Sequence, residues 1–336
     1  AGSGNSLTET YLSLRRLENE VLRILYGEQI VLGDFDNPVK VSIGQFYGIE
    51  INDFAVTVAR TALWIAESQM MKETESIVHM ALDFLPLRTY DNIHEGNALR
   101  MDWRAVLPPT DNVHMMGNPP FVGYTYQTAA QKEDMAAIWR DEGGKPYPSI
   151  GKIDYVACWH FKAASYMEGS NIRTAFVSTN SITQGEQVAL IWKPLAERFG
   201  VQIDFAWRTF RWNSESLDKA AVHCVIIGFR TGTSAATKWL YSDGMMREAE
   251  NISPYLTASS MIFVEARKTP LSNHAPIMQR GNQPTDDGNL ILTREERDEL
   301  LRSEPQAATF LRPYMMGWDF IHRATRYCLW LVDADP

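Results

Sequence analysis

The sequence is most constrained by a regular alternation of short apolar segments with longer segments of helical spacing. Apolar segments typical of strands lie at 45–51, 91–94, 113–117, 173–178, 201–207 and 222–230. Segments with helical periodicity lie at 8–26, from 52 or 53 onward, at 153–167 and at 188–199. This alternation predicts an α/β domain in which helices cover both faces of a mostly parallel sheet.

The two N-terminal helices have predicted start points and predicted apolar faces. Thr8 is expected to cap the first helix and Asn52 or Asp53 the second, because their side-chain oxygens can accept from free backbone amides. The apolar positions of the first helix are Tyr11, Leu14, Leu17, Val21, Leu22 and Leu25. Those of the second helix are Phe54, Val58, Ala62, Ile65 and Ala66.

The pattern changes after about residue 250, where turn-forming residues become frequent and the alternation stops. We therefore predict one domain over 1–250 and a second region over 251–336, with a short helix at 294–302. At the other end, Gly2-Ser3-Gly4 opens the chain without the buried strand that normally precedes a Gly-rich turn. The first domain is expected to be truncated at its N-terminus.

Composition excludes some classes of protein and leaves others open. Among the 336 residues, no apolar run approaches the roughly 18–20 residues that a membrane span needs. Cys158, Cys224 and Cys328 are too far apart for a disulfide framework, and no segment has metal-ligand spacing, so we expect a reducing cytoplasm and no metal. The net charge of −9 does not exclude DNA, because phosphate binding depends on local basic surface.

The sharpest chemical signal is Gly117-Asn118-Pro119-Pro120-Phe121, directly after an apolar strand. Two prolines remove two backbone donors and stiffen the turn, which leaves the Asn118 side-chain oxygen and the Pro119 carbonyl to face one space. Two acceptors suit the two hydrogens of an exocyclic aromatic amine, whose lone pair they free for attack. Phe121 offers a ring for base stacking, worth about 1–3 kcal/mol. An ordinary strand-end turn with a buried phenylalanine is the alternative.

This turn resembles motif IV of the amino-methyltransferases, and Gly2-Ser3-Gly4-Asn5 resembles the end of their motif I. The order of the two motifs, followed by a C-terminal extension, is similar to that of γ-class adenine-N6 DNA methyltransferases. The stretches LTETYLSLRRLENE and GIEINDFAVTVARTALWIAE resemble large single-chain bacterial restriction–modification enzymes of types IIL and IIG. The resemblance implies a Rossmann-like, class I fold dependent on S-adenosylmethionine (SAM), with a seven-stranded mixed sheet, and the start of a target-recognition region in 251–336.

The implied reaction transfers a methyl group from SAM to N6 of an adenine flipped out of double-stranded DNA in the bacterial cytoplasm. The amine attacks directly, so the reaction needs no cysteine nucleophile, unlike methylation at cytosine C5. The resemblance leaves the oligomeric state open.

The motif positions imply a role for each candidate residue. The catalytic residues are Asn118, Pro119, Pro120 and Phe121. The SAM-binding residues are Gly2, Gly4 and Asn5 of motif I, Glu50 and Ile51 of motif II, and Asn97 and Ala98 of motif III. The target-base pocket contains Asn180 of motif VI with Phe210 and Trp212 of motif VIII. Asp154 and Tyr155 resemble motif V and are expected to be mainly structural.

Glu50 is also a candidate without the resemblance, because a carboxylate at the carboxyl end of a second strand can accept from both ribose hydroxyls of a nucleoside. A surface glutamate at the start of the next helix is the alternative.

Two other functions are compatible with parts of the sequence. Asn-Pro-Pro turns also serve enzymes that methylate RNA bases or protein glutamine, although the region 251–336 counts against these. The chain as given is also consistent with a non-catalytic binding or structural piece.

Overall fold

The computed structural model describes residues 2–26, 38–79, 82, 90–212, 222–234, 236–267, 269, 272 and 286–332. The chain divides into two compact units, Ala1–Ala266 and Arg267–Pro336. The helices of the first unit are α1 (Asn5–Tyr26), α2 (Asp53–Val78), α3 (Trp103–Val106), α4 (Ala129–Ile138), α5 (Ala157–Met167) and α6 (Gly185–Phe199). Its strands are β1 (Gly48–Glu50), β2 (Ile93–Glu95), β3 (His114–Gly117), β4 (Arg173–Thr179), β5 (Val201–Trp212), β6 (Val222–Thr231), β7 (Lys238–Ser242) and β8 (Met245–Ala249).

The first unit is built on a mixed six-stranded sheet with the strand order β3-β4-β6-β5-β7-β8. Strand β3 is parallel to β4 and β5 is parallel to β7, whereas the other pairs are antiparallel. Among the described residues, β1 and β2 form a separate parallel pair. The predicted α/β class is confirmed, as is the mixed sheet implied by the resemblance, in place of the mostly parallel sheet expected from the alternation alone.

The main hydrophobic core lies between the six-stranded sheet and helices α5 and α6. Trp139, Trp192, Ile227 and Phe229 are buried there. His160 of α5 lies among the same side chains and is fully buried. A second buried cluster joins α1 and α2 to the β1–β2 pair.

The predicted elements occur close to their expected places, and the cap of α2 is confirmed because Asn52 Oδ1 accepts from Ala55 N at 2.9 Å. The predicted start of α1 was wrong. The helix begins at Asn5, and the Thr8 amide donates to the Gly4 carbonyl at 2.8 Å, so Thr8 already belongs to the first turn.

The predicted apolar face of α1 was only partly right. Tyr11 and Leu22 are buried, but the other predicted positions Leu14, Leu17, Val21 and Leu25 are exposed. Arg15 and Asn19 are buried instead, because both form hydrogen bonds with Thr74 of α2: Arg15 Nη2 donates to Thr74 Oγ1 at 2.6 Å, and that hydroxyl donates to Asn19 Oδ1 at 2.7 Å. Polar pairing between helices thus decides which face of α1 is buried.

The predicted apolar face of α2 was also wrong in part. Phe54 and Ile65 are exposed, whereas Ala66 is buried as expected. The buried face carries Val56, Ala59, Leu63, Ala66 and Met70. Both sides of this helix carry apolar residues, so periodicity alone does not show which side meets α1 and the β1–β2 pair.

The second unit contains α7 (Arg294–Ser303), α8 (Gly317–His322) and the strands β9 (Ile291–Leu292), β10 (Leu311–Tyr314) and β11 (Arg326–Leu329). The strands form an antiparallel sheet with the order β10-β11-β9. Helix α7 confirms the predicted helix at 294–302. Within the described parts of the chain, no helix has the length and apolar character needed to cross a bilayer.

Candidate functional site

One group of predicted site residues lies at a single edge of the six-stranded sheet. Strands β3 and β4 are parallel, and β4 and β5 both pair antiparallel with β6, so β3, β4 and β5 run in one direction and end at one edge. Asn118 follows β3, Asn180 follows β4, and Phe210 lies near the end of β5. Open α/β sheets bind ligands at this carboxyl edge.

The strand register brings two of these segments close together. Thr179, which directly precedes Asn180, is paired with Cys224 of β6, and Cys224 is paired in turn with Phe210. The register of β5 on β6 shifts between Trp207 and Phe210, which marks a bulge that redirects the side chains beyond it. The ring centroids of Phe210 and Trp212 are 6.2 Å apart at an angle of 42°, and Trp212 is exposed.

The Asn-Pro-Pro-Phe turn presents alternate residues to solvent and to the protein. Asn118 and Pro120 are exposed, Pro119 is buried, and Phe121 is half-buried against the main core. Within the described residues, the Asn118 side chain makes no hydrogen bond, so its amide is available to a ligand. The turn therefore offers a free polar group held by a rigid, partly buried backbone.

A second group of predicted residues lies where β1 ends. The Gly2 amide donates to Glu50 Oε2 at 2.6 Å, and the Asn52 amide donates to Glu50 Oε1 at 3.2 Å. Burial opposes ionisation of Glu50, but its pKa nevertheless lies below the usual value, and the hydrogen bonds from the Gly2 and Asn52 amides are among the causes. The Gly-rich turn and the predicted ribose-binding carboxylate are therefore in direct contact.

The Gly-rich turn packs closely against α2 and leads directly into α1. Gly4 has a φ of +84°, and a Cβ there would lie 2.8 Å from the Cα of Ala59. Gly2 has a φ of +57°, and no atom lies within 4 Å of the position of its Cβ. Asn5 is the exposed first residue of the 22-residue helix α1, whose free N-terminal amides favour an anion. The turn thus combines close backbone packing on one side with open space on the other.

The remaining cofactor candidates extend this group to β2. Strands β1 and β2 are parallel with Glu50 opposite Glu95, so Asn97 and Ala98 follow the strand next to Glu50. Ile51 is exposed. The Asn97 side chain accepts from the Leu99 amide at 2.9 Å through Oδ1.

Asp134 of α4 is a buried carboxylate at the site that the sequence reasoning missed. It accepts from Arg100 Nε at 2.7 Å, from the Tyr155 hydroxyl at 2.7 Å and from Asn97 Nδ2 at 3.3 Å. Burial opposes its ionisation, but the hydrogen bonds from Tyr155, Arg100 and Asn97 outweigh it and keep the pKa of Asp134 below its usual value. The sequence carries no local signal for this role, because its partners come from distant parts of the chain.

Two of the three cysteines have the character of packing residues. Cys158 and Cys224 are fully buried, and burial raises the pKa of both thiols. A thiol whose pKa is raised by burial is a poor nucleophile at neutral pH. In the described portion of the sequence, no group of three or more His, Cys, Asp or Glu side chains could hold a metal ion.

The mixed α/β sheet, the Gly-rich turn before α1 and the Asn-Pro-Pro-Phe turn after β3 together define a domain of the methyltransferase class. Residues 1–242 match the model of the MmeI DNA-methyltransferase domain. Residues 258–336 match the model of the MmeI target recognition domain. The chain therefore belongs to the MmeI family.

Two relatives are similar along almost the entire chain. DNA methyltransferase A of Bacillus subtilis (strain 168) is 40% identical over an alignment of 337 positions that covers 99% of this chain and 37% of that protein. The solved structure of the type IIL restriction–modification enzyme MmeI in complex with DNA superposes with a TM-score of 0.84 at 40% identity, over 99% of this chain and 44% of that one. The chain thus spans less than half the length of either relative.

Proposed function

We propose that this protein transfers the methyl group of SAM to N6 of an adenine flipped out of double-stranded DNA, as part of a restriction–modification enzyme. The observation that carries the proposal is the Asn-Pro-Pro-Phe turn: Asn118 is exposed and has no partner among the described residues, at the edge shared with Asn180 and Phe210. The match of residues 1–242 to the MmeI DNA-methyltransferase domain supports it.

The residues around Gly2 fit SAM, because the adenosine part and the methionine part of SAM each have separate candidate partners there. The open space at Gly2 and the N-terminal amides of α1 suit the carboxylate of the methionine part. Glu50 at the end of β1 suits the ribose hydroxyls, and the exposed Ile51 suits one face of the adenine. Asn97 and Ala98 complete the adenine side. When bound, SAM supplies an electrophilic methyl group.

The residues after β3 would prepare the target amine. The Asn118 side-chain oxygen and the Pro119 carbonyl accept its two hydrogens, which favours a tetrahedral nitrogen with a free lone pair. Pro120 stiffens the turn, so the acceptors do not have to reorganise during the reaction. Phe121 stacks on the base, and Asn180, Phe210 and Trp212 line the rest of the pocket.

DNA is the substrate that the comparisons favour over RNA or protein glutamine. Residues 258–336 match a target recognition domain, and the MmeI structure that superposes on this chain is a complex with DNA. We assign residues 1–250 to the catalytic domain and 251–336 to the start of the recognition region. We also assign the β1–β2 pair and the six-stranded sheet to one Rossmann-like class I architecture.

The proposal is tested by identifying the methylated atom. The intact protein is incubated with SAM carrying an isotopically labelled methyl group and plasmid DNA from a strain that lacks adenine methylation. The DNA is then digested to nucleosides and analysed by mass spectrometry. We expect the label in N6-methyladenine. Label found only in a methylated cytosine, or transferred only to added RNA or protein, would contradict the proposal.

A further inference from the structure

Asp154 and Tyr155 lie just before α5 and are connected to three of the segments assigned to the site. Both are buried, Asp154 with 6% and Tyr155 with 5% of its surface exposed. Neither residue is expected to touch SAM or the target base. Their hydrogen bonds nevertheless reach the turn after β3, the segment after β4 and the segment after β2, which form the three walls of the proposed site.

The Asp154 carboxylate bridges two of these walls, one with each oxygen. Oδ1 accepts from the Tyr124 amide at 3.1 Å, three residues beyond Phe121. Oδ2 accepts from the Ser181 hydroxyl at 2.5 Å, next to Asn180. Because a buried carboxylate forms stronger hydrogen bonds than a neutral acceptor, the bridge fixes the spacing between the two segments.

Tyr155 continues the connection to the cofactor side. Its amide donates to the Val122 carbonyl at 3.0 Å, directly after Phe121. Its hydroxyl donates to Asp134, which also accepts from Asn97. An unbroken series of hydrogen bonds therefore runs from Asn97 through Asp134 and Tyr155 to the end of the Asn-Pro-Pro-Phe turn.

We propose that Asp154 and Tyr155 are positioning residues, which hold the Asn-Pro-Pro-Phe turn in register with the target-base wall through Asp154 and with the cofactor wall through Tyr155. This inference rests on the proposed function. It predicts different effects for the two residues. Substitution of Asp154 should affect the target base, because its hydrogen bonds lead to the segment of Asn180, whereas substitution of Tyr155 should affect SAM binding, because its hydrogen bonds lead to Asn97.

The base side is tested with Asp154→Asn and Ser181→Ala. Asp154→Asn removes the charge from the bridge, and its amide can accept from only one of the two segments. Ser181→Ala removes the shorter bond to Oδ2 and leaves the carboxylate and the 3.5 Å contact from Thr179 Oγ1 in place. Ser170→Ala is the matched control, because the Ser170 hydroxyl donates to the Met167 carbonyl at 2.7 Å, away from the site. We expect kcat for methyl transfer to unmodified plasmid DNA to fall by about 10²-fold in Asp154→Asn, as for a small misplacement of reacting groups. The Kd for SAM should stay unchanged.

The cofactor side is tested with Tyr155→Phe, which removes one hydroxyl and keeps the backbone bond to Val122. Tyr166→Phe in α5 is the matched control, since the Tyr166 hydroxyl donates to the Leu107 carbonyl at 2.7 Å and its ring is equally buried. We expect calorimetry to show about tenfold weaker SAM binding in Tyr155→Phe, because Asp134 loses one of its donors and holds Asn97 less firmly in its proposed SAM-binding position. Tyr166→Phe should bind SAM normally.

The thermal unfolding midpoint separates positioning from a general loss of stability. If the site variants lose only as much activity and SAM affinity as their controls at a matched loss of stability, the positioning roles are contradicted. A failure of the unaltered protein to bind SAM or to methylate DNA would instead contradict the proposed function itself, and the inference with it.

Discussion

His160 is a titratable residue whose fully buried environment disfavours the protonated form. Its ring is stacked on Phe229 with centroids 5.4 Å apart and has edge contacts with Phe176 and Trp192. Nδ1 lies 3.3 Å from the Val156 carbonyl, and Nε2 has no partner among the described residues. Burial lowers the pKa of His160 to about 4, so the folded protein holds it neutral.

This residue should make the stability depend on pH. Between pH 6.5 and about 4, the unfolded chain binds a proton at His160 that the folded protein does not, so the free energy of unfolding falls as the pH falls. The loss should reach about 2–3 kcal/mol at the acid end of this window. Urea denaturation across this range should show a weaker pH dependence for His160→Phe. His223→Gln, at an exposed histidine, is the control substitution, and an unchanged pH dependence in His160→Phe would contradict the assignment.

At the scale of secondary-structure elements, the close contact of the Gly-rich turn with α2 fixes the start of α1. Gly4→Ala should combine the cost of a left-handed alanine, about 1–2 kcal/mol, with a clash against Ala59 of about 1–3 kcal/mol. Gly232→Ala is the matched control, because Gly232 has a φ of +78° and open space at its Cβ. Urea denaturation should show a larger loss of unfolding free energy for Gly4→Ala. Equal losses in the two variants would mean that the contact with α2 contributes nothing.

The order of the elements could be predicted from the sequence because alternating strands and helices leave a strong local pattern. The Asn52 cap and the strand before Asn118 followed from residues adjacent in the chain. The buried face of α1 could not be predicted in this way. A charged residue in a helical pattern normally marks the exposed side. Arg15 is buried instead because it is hydrogen-bonded to Thr74, which lies 59 positions away in the sequence and so gives no local signal.

The same distinction holds within the candidate site. Gly2 and Glu50 were expected to act together from their motifs, and the structure places them in contact. Asp134 was missed because its partners Asn97, Arg100 and Tyr155 become its neighbours only in the folded chain. Sequence motifs therefore predicted the residues proposed to bind ligands, whereas the residues that connect them became visible only in three dimensions.

At the scale of the whole molecule, the proposed work is divided between the two sheets of the first unit. The residues assigned to SAM lie in the Gly-rich turn before α1 and at the ends of β1 and β2, and those assigned to the target base lie at the edge of the six-stranded sheet. The series of hydrogen bonds from Asn97 to Tyr155 connects the two groups. Binding of SAM and transfer of the methyl group should therefore be separable by substitution, because different sheets support them.

The most direct test of this account is the substitution Asn118→Ala, with methyl transfer to DNA and calorimetric SAM binding measured on the same preparation. Asn171→Ala is the control, an exposed asparagine that precedes β4 at its amino end. We predict that Asn118→Ala lowers kcat by about 10²–10³-fold, the usual cost of removing one preorganised polar partner, while the Kd for SAM does not change. Unchanged methyl transfer by Asn118→Ala would contradict the central claim that this turn holds the target amine.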